Sequence, residues 1–280
     1  MLKSRYTFLQ MTRIVWAVGW SDFTLKYRGS ILGYLWSLLA PLAKFLVIYY
    51  VFKPLVGGEI AQYPLYLFLG IIMWEHFTVT TTHCMTALKE KQAFFLKIPF
   101  PRMLIMLIVG WTNMIIFLTH FLIFVVFVLA MGGSPWMPWL YLPILLLQMT
   151  LFALGVGMLL ASYCLKYRDI QHLWGILSQV LFWLTPITYV YRLDAPISTQ
   201  WGRFLELLHH PTLHTTFDLF VQFQPLSILI YDMRRVTLYA ATQAFPSLPH
   251  ILGVTAVLVA LFALAARVYH YRSQYFIEEY

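Results

Sequence analysis

The chain changes character at Tyr27–Pro41, which reads Tyr-Arg-Gly-Ser-Ile-Leu-Gly-Tyr-Leu-Trp-Ser-Leu-Leu-Ala-Pro. Before this stretch lies a charged, amphipathic segment that contains Lys3 and Lys26, and after it the sequence stays apolar. The apolar part is long enough to cross a bilayer, which takes about 20 apolar residues in a helix. Gly29 and Gly33 lie four residues apart. They predict either a bend between an interfacial helix and a membrane span or a close approach of a neighbouring backbone.

The composition is that of a membrane protein. Of the 280 residues, 61% are apolar and 11% are charged, and the mean hydropathy is +0.73. Ordinary soluble domains carry about 25% charged residues, so the excess apolar surface must face lipid. In such a chain the formal net charge of +8 bears on orientation in the membrane rather than on nucleic-acid binding. The two cysteines, Cys84 and Cys164, indicate neither a disulfide framework nor a metal site.

The N-terminal segment, about residues 3–26, has the pattern of an amphipathic helix. Its apolar positions recur at helical spacing and its charged residues fall on the other side, which is typical of a helix lying in the membrane interface. The residues of the apolar face are Phe8, Met11, Val15 and Val18.

Six further apolar segments predict an all-α polytopic membrane protein with six transmembrane helices. They lie at about 32–56, 63–82, 104–131, 140–164, 170–191 and 248–268. In the first span, Lys44 either snorkels or packs against protein, or it faces a polar cavity. The segment 192–247 is not a simple loop, because Leu219–Tyr231 is short and is interrupted by Pro225. We expect re-entrant or gate helices there, before the last span.

Polar residues within the second and third spans need partners, because lipid offers none. Glu75 is either a proton carrier or the partner of a nearby Lys, Asn or His. Asn113 and His120 lie seven residues apart and share one helix face. With Glu75 they predict a buried polar cluster or a simpler interhelical hydrogen bond. In the fourth span, Gly155 and Gly157 predict tight helix packing.

Polar and aromatic residues share one face of the fifth span, and aromatic residues form a stripe on the first. Such faces suit either a wet path along which sugar rings slide over aromatic rings, or ordinary helix packing. The candidate path residues are Tyr34, Phe45, Tyr49, Phe52, Trp174, Ser178, Phe182, Thr185 and Tyr189.

The connection between the second and third spans is basic and aromatic. Positive charge on the cytoplasmic side accounts for Lys89, Lys91 and Lys97, but not for Phe94 and Phe95. Aromatic side chains beside lysines suit a docking site for a soluble partner. Basic residues also dominate the N-terminal segment, so we expect both termini to lie in the cytoplasm.

Signatures of catalysis are missing from the sequence. There is no G-x-x-x-x-G-K-[ST] stretch for ATP, and no G-x-S-x-G, H-E-x-x-H or paired carboxylates stand out. This favours transport over catalysis and predicts no metal or cofactor in the chain itself. The rival hypothesis is a membrane enzyme of glycan assembly, which would need essential residues such as Asp194, Glu206, His209 or Asp218.

Six stretches, in order, resemble the membrane subunit of bacterial polysaccharide exporters. This is the ABC transporter type 2 permease family, which includes O-antigen and teichoic acid exporters. The stretches are Lys26–Pro41, Leu67–Trp74, Leu96–Arg102, Tyr167–Ile170, Phe182–Tyr189 and Phe276–Glu279. The sequence departs from the family pattern at Gln224-Pro225, where Asn-Pro is common, and at Gln92, where Asn is common.

The resemblance implies a homodimer of six-span subunits in the bacterial inner membrane. Two separate ATP-binding subunits, which hold ATP and Mg, would drive export of a lipid-linked, O-antigen-like polysaccharide. Capsule, teichoic acid or a small hydrophobic compound are alternative cargoes. The domains would be a cytoplasmic interfacial helix at 1–30 and a permease domain at 31–280, with an external gate segment at about 192–247. In the family, the interfacial helix and the loop after the second span contact the ATPase, and aromatic residues of the first and fifth spans line the path.

Overall fold

The computed structural model describes residues 7–30, 33–56, 62–91, 101–133, 137–167, 169–189, 213–239 and 246–273. Within these ranges every regular element is a helix. The helices are α1 (Phe8–Tyr27), α2 (Leu35–Val56), α3 (Tyr63–Glu90), α4 (Arg102–Ala130), α5 (Leu142–Cys164), α6 (Ile170–Leu184), α7 (Leu213–Phe223), α8 (Pro225–Thr237) and α9 (Leu248–Ser273). A short 3₁₀ turn, Met137–Tyr141, leads into α5.

Four of these helices are long and apolar enough to cross a membrane. They are α2, α4, α5 with its preceding turn, and α9. They correspond to the predicted first, third, fourth and sixth spans, so the multi-pass, all-helical class is confirmed. Helix α3 has 28 residues but carries many polar side chains, and α6 has only 15 residues. Six spans therefore stay a prediction.

Helix α3 is the centre of the bundle. Its first half is apolar on every side, which suits a helix surrounded by others rather than one at a surface. Leu67, Leu69 and Ile71 are completely buried there. Farther along, Phe77 stacks on Phe152 of α5 with 5.2 Å between the ring centroids. Because neighbouring helices cover α3, its polar residues meet protein rather than lipid.

Glycines allow the helices to approach closely, as predicted for α5. A Cβ atom on Gly157 would lie 2.8 Å from the Cys84 Sγ atom of α3. One on Gly155 would lie 2.6 Å from a methyl group of Leu261 in α9. These distances are shorter than van der Waals contact, so a side chain at either position would push the helices apart.

The junction between α1 and α2 is a bend. Gly29 and Gly33 have φ angles of +81° and +50°, in the left-handed region that glycine adopts without strain. A Cβ atom on either glycine would meet no described atom within 4 Å. The prediction of a bend is therefore confirmed, and no described part of this chain makes a close backbone approach at this pair.

Helix α1 packs along α4 through small and aromatic side chains. Trp16 lies on Trp111 with ring centroids 4.7 Å apart, and Thr112 Oγ1 donates a hydrogen bond of 3.2 Å to the Gly19 carbonyl. On the predicted apolar face, three of the four residues are partly buried and Phe8 is exposed. Contact with protein therefore uses much of the face that the pattern identified.

Candidate functional site

The predicted path residues of the first span lie in two places. Tyr34 precedes α2, where its hydroxyl shares a hydrogen bond with Thr119 of α4. Its ring meets Tyr27 edge-on, with 5.2 Å between the centroids. It thus belongs to the contact between the α1–α2 junction and α4, away from Phe45, Tyr49 and Phe52.

Those three aromatic residues lie along α2 and are half-buried. The ring of Phe45 stacks on Tyr49 at 5.6 Å and meets Phe68 of α3 at 5.4 Å. Phe52 contacts Trp183 of α6, with ring centroids 5.9 Å apart. The stripe therefore lies where α2 meets α3 and α6, and this brings the predicted first and fifth spans together.

Most of the predicted path residues on the fifth span point into the subunit. Trp174 and Phe182 are each 6% exposed, and Thr185 is completely buried. The Trp174 indole nitrogen donates a hydrogen bond of 3.0 Å to Thr81 of α3. Ser178 is partly buried, and its hydroxyl bonds to a carbonyl of its own helix. In this conformation these side chains, apart from Ser178, pack in the core of the subunit.

The exposed side of α6 is mainly apolar instead. Its large apolar residues are Leu173, Ile176, Leu177, Val180 and Trp183, and His172 and Gln179 are exposed on the same helix. Tyr189 lies beyond the end of the helix, where its hydroxyl donates a 2.7 Å hydrogen bond to the Leu184 carbonyl. The role of the predicted stripe in a path stays a prediction.

A buried arginine that no sequence pattern singled out holds the turn after α6. Arg234 of α8 is 3% exposed, and its guanidinium donates hydrogen bonds to the carbonyls of Pro186 (2.6 Å), Ile187 (3.0 Å) and Tyr66 (3.1 Å). It also lies over the Tyr66 ring, 3.3 Å from the centroid. Pro186 cannot continue the hydrogen bonding of α6, so the chain turns there, and the arginine donates to the carbonyls of Pro186 and Ile187 in that turn.

The helix break predicted at Pro225 is present. Pro225 is the first residue of α8, and Gln224 separates it from α7. The Gln224 amide donates a 3.1 Å hydrogen bond to the Thr185 hydroxyl and accepts one of 2.9 Å from Ser227. At the position where the family commonly has Asn, the longer amide therefore links the start of α8 to the end of α6.

The predicted docking surface is described only in part. Lys89 is exposed near the end of α3, whereas Lys91 forms an ion pair with Asp22 of α1, at 2.5 Å. Phe94, Phe95 and Lys97 lie outside the described residues. The ion pair holds α1 against the end of α3.

A polar cavity of about 360 Å³ lies between the α1–α2 junction, α3 and α4. It brings together Glu75, Asn113 and His120, which confirms the polar cluster predicted from the sequence. The interhelical hydrogen bond is also present, since His83 and Asn113 bond at 3.0 Å. The full lining is Lys26, Tyr27, Ser30, Gly33, Trp36, Ser37, Ala40, Glu75, His76, Val79, Asn113, Ile116, Phe117 and His120.

Two lysines lie within electrostatic range of Glu75. Burial of the Lys26 ammonium lowers its pKa, and the Glu75 carboxylate opposes this shift. Lys44 does not line the cavity; its ammonium lies 4.2 Å from the centre of the Phe182 ring on α6. Of the two predictions for Lys44, packing against protein is therefore correct, through a cation–π contact.

Comparison with known families settles the class of protein. A family model described as ABC-2 type transporter matches residues 13–211, from α1 past the end of α6. The chain belongs to the ABC-2 type transporter family. The resemblance drawn from the sequence motifs is thereby confirmed.

Relatives of this ABC-2 transporter include two O-antigen export system permease proteins named RfbA. The one from Myxococcus xanthus is 27% identical over 261 residues, which cover 92% of this chain and 91% of the relative. One from Klebsiella pneumoniae is 26% identical over 193 residues, which cover 67% of this chain and 73% of the relative. The family membership and the apolar helices make the chain a multi-pass membrane permease rather than an ATPase.

Proposed function

We propose that this chain is the permease subunit of an ATP-driven exporter that moves a lipid-linked, O-antigen-like polysaccharide across the bacterial inner membrane, starting from the cytoplasmic side. The observation that carries the proposal is the similarity to an O-antigen export permease along almost the entire chain. The absence of a phosphate-binding sequence agrees with a chain that relies on a separate ATP-binding subunit.

The proposed architecture has six spans, formed by α2, α3, α4, α5, α6 and α9. Helix α3 can cross the membrane despite its polar residues, because its neighbours cover it. Helix α6 is completed by the turn that Arg234 holds. Helix α1 forms the interfacial domain at 1–30, and the permease domain occupies 31–280. The short helices α7 and α8 belong to the external gate segment at 192–247, and both termini lie in the cytoplasm.

The proposed assembly is a homodimer above two ATP-binding subunits, which bind ATP and Mg. Within the described residues, α2 and α6 present adjoining apolar faces that a second copy can cover. The path would run between the copies, along the aromatic residues of α2 and α6. The ATP-binding subunits would dock on α1 and on Lys89, Lys91, Phe94, Phe95 and Lys97, where aromatic and basic residues occur together.

The experiment that tests the function is deletion of the gene in its host, followed by localisation of the glycan. We expect full-length, lipid-linked glycan to accumulate on the cytoplasmic side and to disappear from the cell surface. If no full-length glycan is made anywhere, the chain acts in synthesis and the proposal is wrong. Unchanged surface glycan would leave only the transporter class standing.

Complementation of the deletion strain tests the docking surface. Double alanine substitution of Phe94 and Phe95 is expected to abolish export while the protein still reaches the membrane. The control is double alanine substitution of Leu122 and Leu129, which are exposed on the apolar face of α4. Export that survives loss of both phenylalanines would exclude this surface as the ATPase contact.

A further inference from the structure

The polar cavity between the α1–α2 junction, α3 and α4 has buried polar nitrogen atoms that no hydrogen-bond partner in the described residues satisfies. Asn113 and His120 are 2% and 5% exposed, yet Asn113 Nδ2 and His120 Nε2 have no hydrogen-bond partner there. A buried polar group without a partner costs about 1–3 kcal/mol. Native proteins retain few such groups, and those that line a cavity point to an occupant.

The cavity is larger than bridging water requires. Its volume of about 360 Å³ equals about a dozen water molecules at ~30 Å³ each, and it lies in the range of small-molecule sites, about 300–1,000 Å³. Its floor is buried in α3 and α4, whereas Ser30, Trp36 and Ala40 on the other side are exposed. The cavity therefore has a mouth at the α1–α2 junction.

The charges of the lining favour a neutral occupant. Lys26 and Glu75 are the lysine and the carboxylate among the lining residues, and their formal charges cancel. A phosphate group would gain from Lys26 but would be repelled by Glu75. A neutral ligand with hydroxyl groups can bind both kinds of group in the lining, because a hydroxyl donates to a carboxylate and accepts from an amide or an ammonium.

The shape of the lining narrows the ligand further. Tyr27 and Trp36 contribute aromatic rings to the lining, which also contains the acceptor Glu75 and the donor Asn113. Aromatic faces cover the C–H surfaces of a sugar ring, while the polar groups bind its hydroxyls. We propose that this cavity binds one pyranose sugar unit, within the subunit and apart from the path between subunits. The inference rests on the proposed function, because the exported glycan supplies the sugar.

The test is ligand binding by the full-length chain in phosphatidylethanolamine–phosphatidylglycerol nanodiscs. Saturation-transfer NMR is recorded with methyl glucoside, methyl mannoside, methyl galactoside and N-acetylglucosamine, with linear sorbitol as the control for hydroxyl groups without a ring. At least one pyranoside is expected to bind. Glu75→Gln and Asn113→Ala are each expected to weaken it about tenfold, the loss of one strong hydrogen bond. Glu90→Gln, at an exposed carboxylate of the same helix, should bind like wild type.

A variant at the mouth keeps the test valid if a buried substitution impairs folding. Ala40 is exposed and lines the cavity, so Ala40→Phe should block sugar entry without disturbing the core. Failure of every pyranoside to bind, equal binding by wild type and Ala40→Phe, or preference for inorganic pyrophosphate would overturn the inference. A protein that exports glycan in cells but binds no pyranoside would refute the cavity assignment and leave the permease function intact. An error in the proposed export function would instead be detected by the gene-deletion experiment, through glycan that does not accumulate on the cytoplasmic side.

Discussion

Gly157 illustrates how a single methyl group can control helix packing. Gly157→Ala places a Cβ atom against Cys84 and should destabilise the protein by about 1–3 kcal/mol, as overpacking does. The matched control is Gly175→Ala on α6, where a Cβ atom meets nothing within 4 Å. Replacing a helical glycine by alanine there should be neutral or stabilising by up to about 1 kcal/mol. The thermal stability of both variants is measured by the loss of the size-exclusion peak on heating. Equal midpoint temperatures for the two variants would contradict the packing argument.

Arg234 is the residue whose loss should cost most outside the apolar core. Arg234→Met leaves the turn carbonyls of Pro186 and Ile187 without the guanidinium donors, each at about 1–3 kcal/mol, whereas the Tyr66 carbonyl keeps its hydrogen bond within α3. Arg234→Lys keeps the charge but cannot reproduce the fork of donors, so we expect an intermediate loss. Thermal unfolding in detergent checks this, with Arg267→Met at an exposed position of α9 as control. A melting temperature of Arg234→Met equal to that of the control would show that the turn does not depend on the guanidinium.

At the scale of elements, α1 is the helix whose attachment is easiest to test. A Cβ atom on Gly19 would lie 2.6 Å from the Trp111 ring of α4, so Gly19→Val should push α1 away from the bundle. We expect trypsin to cut faster after Arg13, which is exposed on α1. Gly253→Val on α9, where a Cβ atom would meet nothing within 4 Å, is the matched control. An unchanged cutting rate in Gly19→Val would mean that α1 does not depend on this contact.

The sequence was a good guide to the helices and a poorer one to their faces. Helical periodicity identified which residues of α6 share a side, but it could not tell which side is buried. In a soluble protein the polar side of a helix faces water. In a membrane the surrounding lipid is as apolar as the protein interior, so the polarity of a helix face does not show whether it is buried. The sequence therefore placed Trp174 and Phe182 on the same face of α6, but it did not show that this face points into the core.

The sequence could predict which polar residues lie close together when those residues occur in apolar helices, where lipid offers them no hydrogen-bond partner. Glu75, Asn113 and His120 sit in otherwise apolar helices, so each must find a polar partner, and the cluster followed. Arg234 could not be foreseen, because its acceptors are backbone carbonyls far away in the sequence. Backbone carbonyls are present at every residue, so no side-chain pattern marks them.

At the scale of the whole molecule, the exposed apolar faces of α2 and α6 predict self-association. Leu177→Cys on α6 is expected to form an intersubunit disulfide under mild oxidation in membranes, visible as a dimer on a non-reducing gel. Val257→Cys on α9 is equally apolar and exposed, and should stay monomeric. The native thiols contribute no background, because Cys84 and Cys164 are buried. A disulfide-linked dimer of Val257→Cys, with Leu177→Cys remaining monomeric, would indicate that the dimer interface lies at α9 instead.

The shortness of α6 has a consequence for the surrounding lipid. Fifteen residues make a helix of about 22 Å at 1.5 Å per residue, while the hydrocarbon layer is ~30 Å thick. A free α6 would force acyl chains to compress or tilt, at a cost of fractions of a kcal/mol per Å of mismatch. Covering α6 with a second subunit removes that deformation. In the proposed homodimer, elastic energy stored in the bilayer would thus add to the contacts between subunits, and thicker membranes should hold the two copies together more firmly.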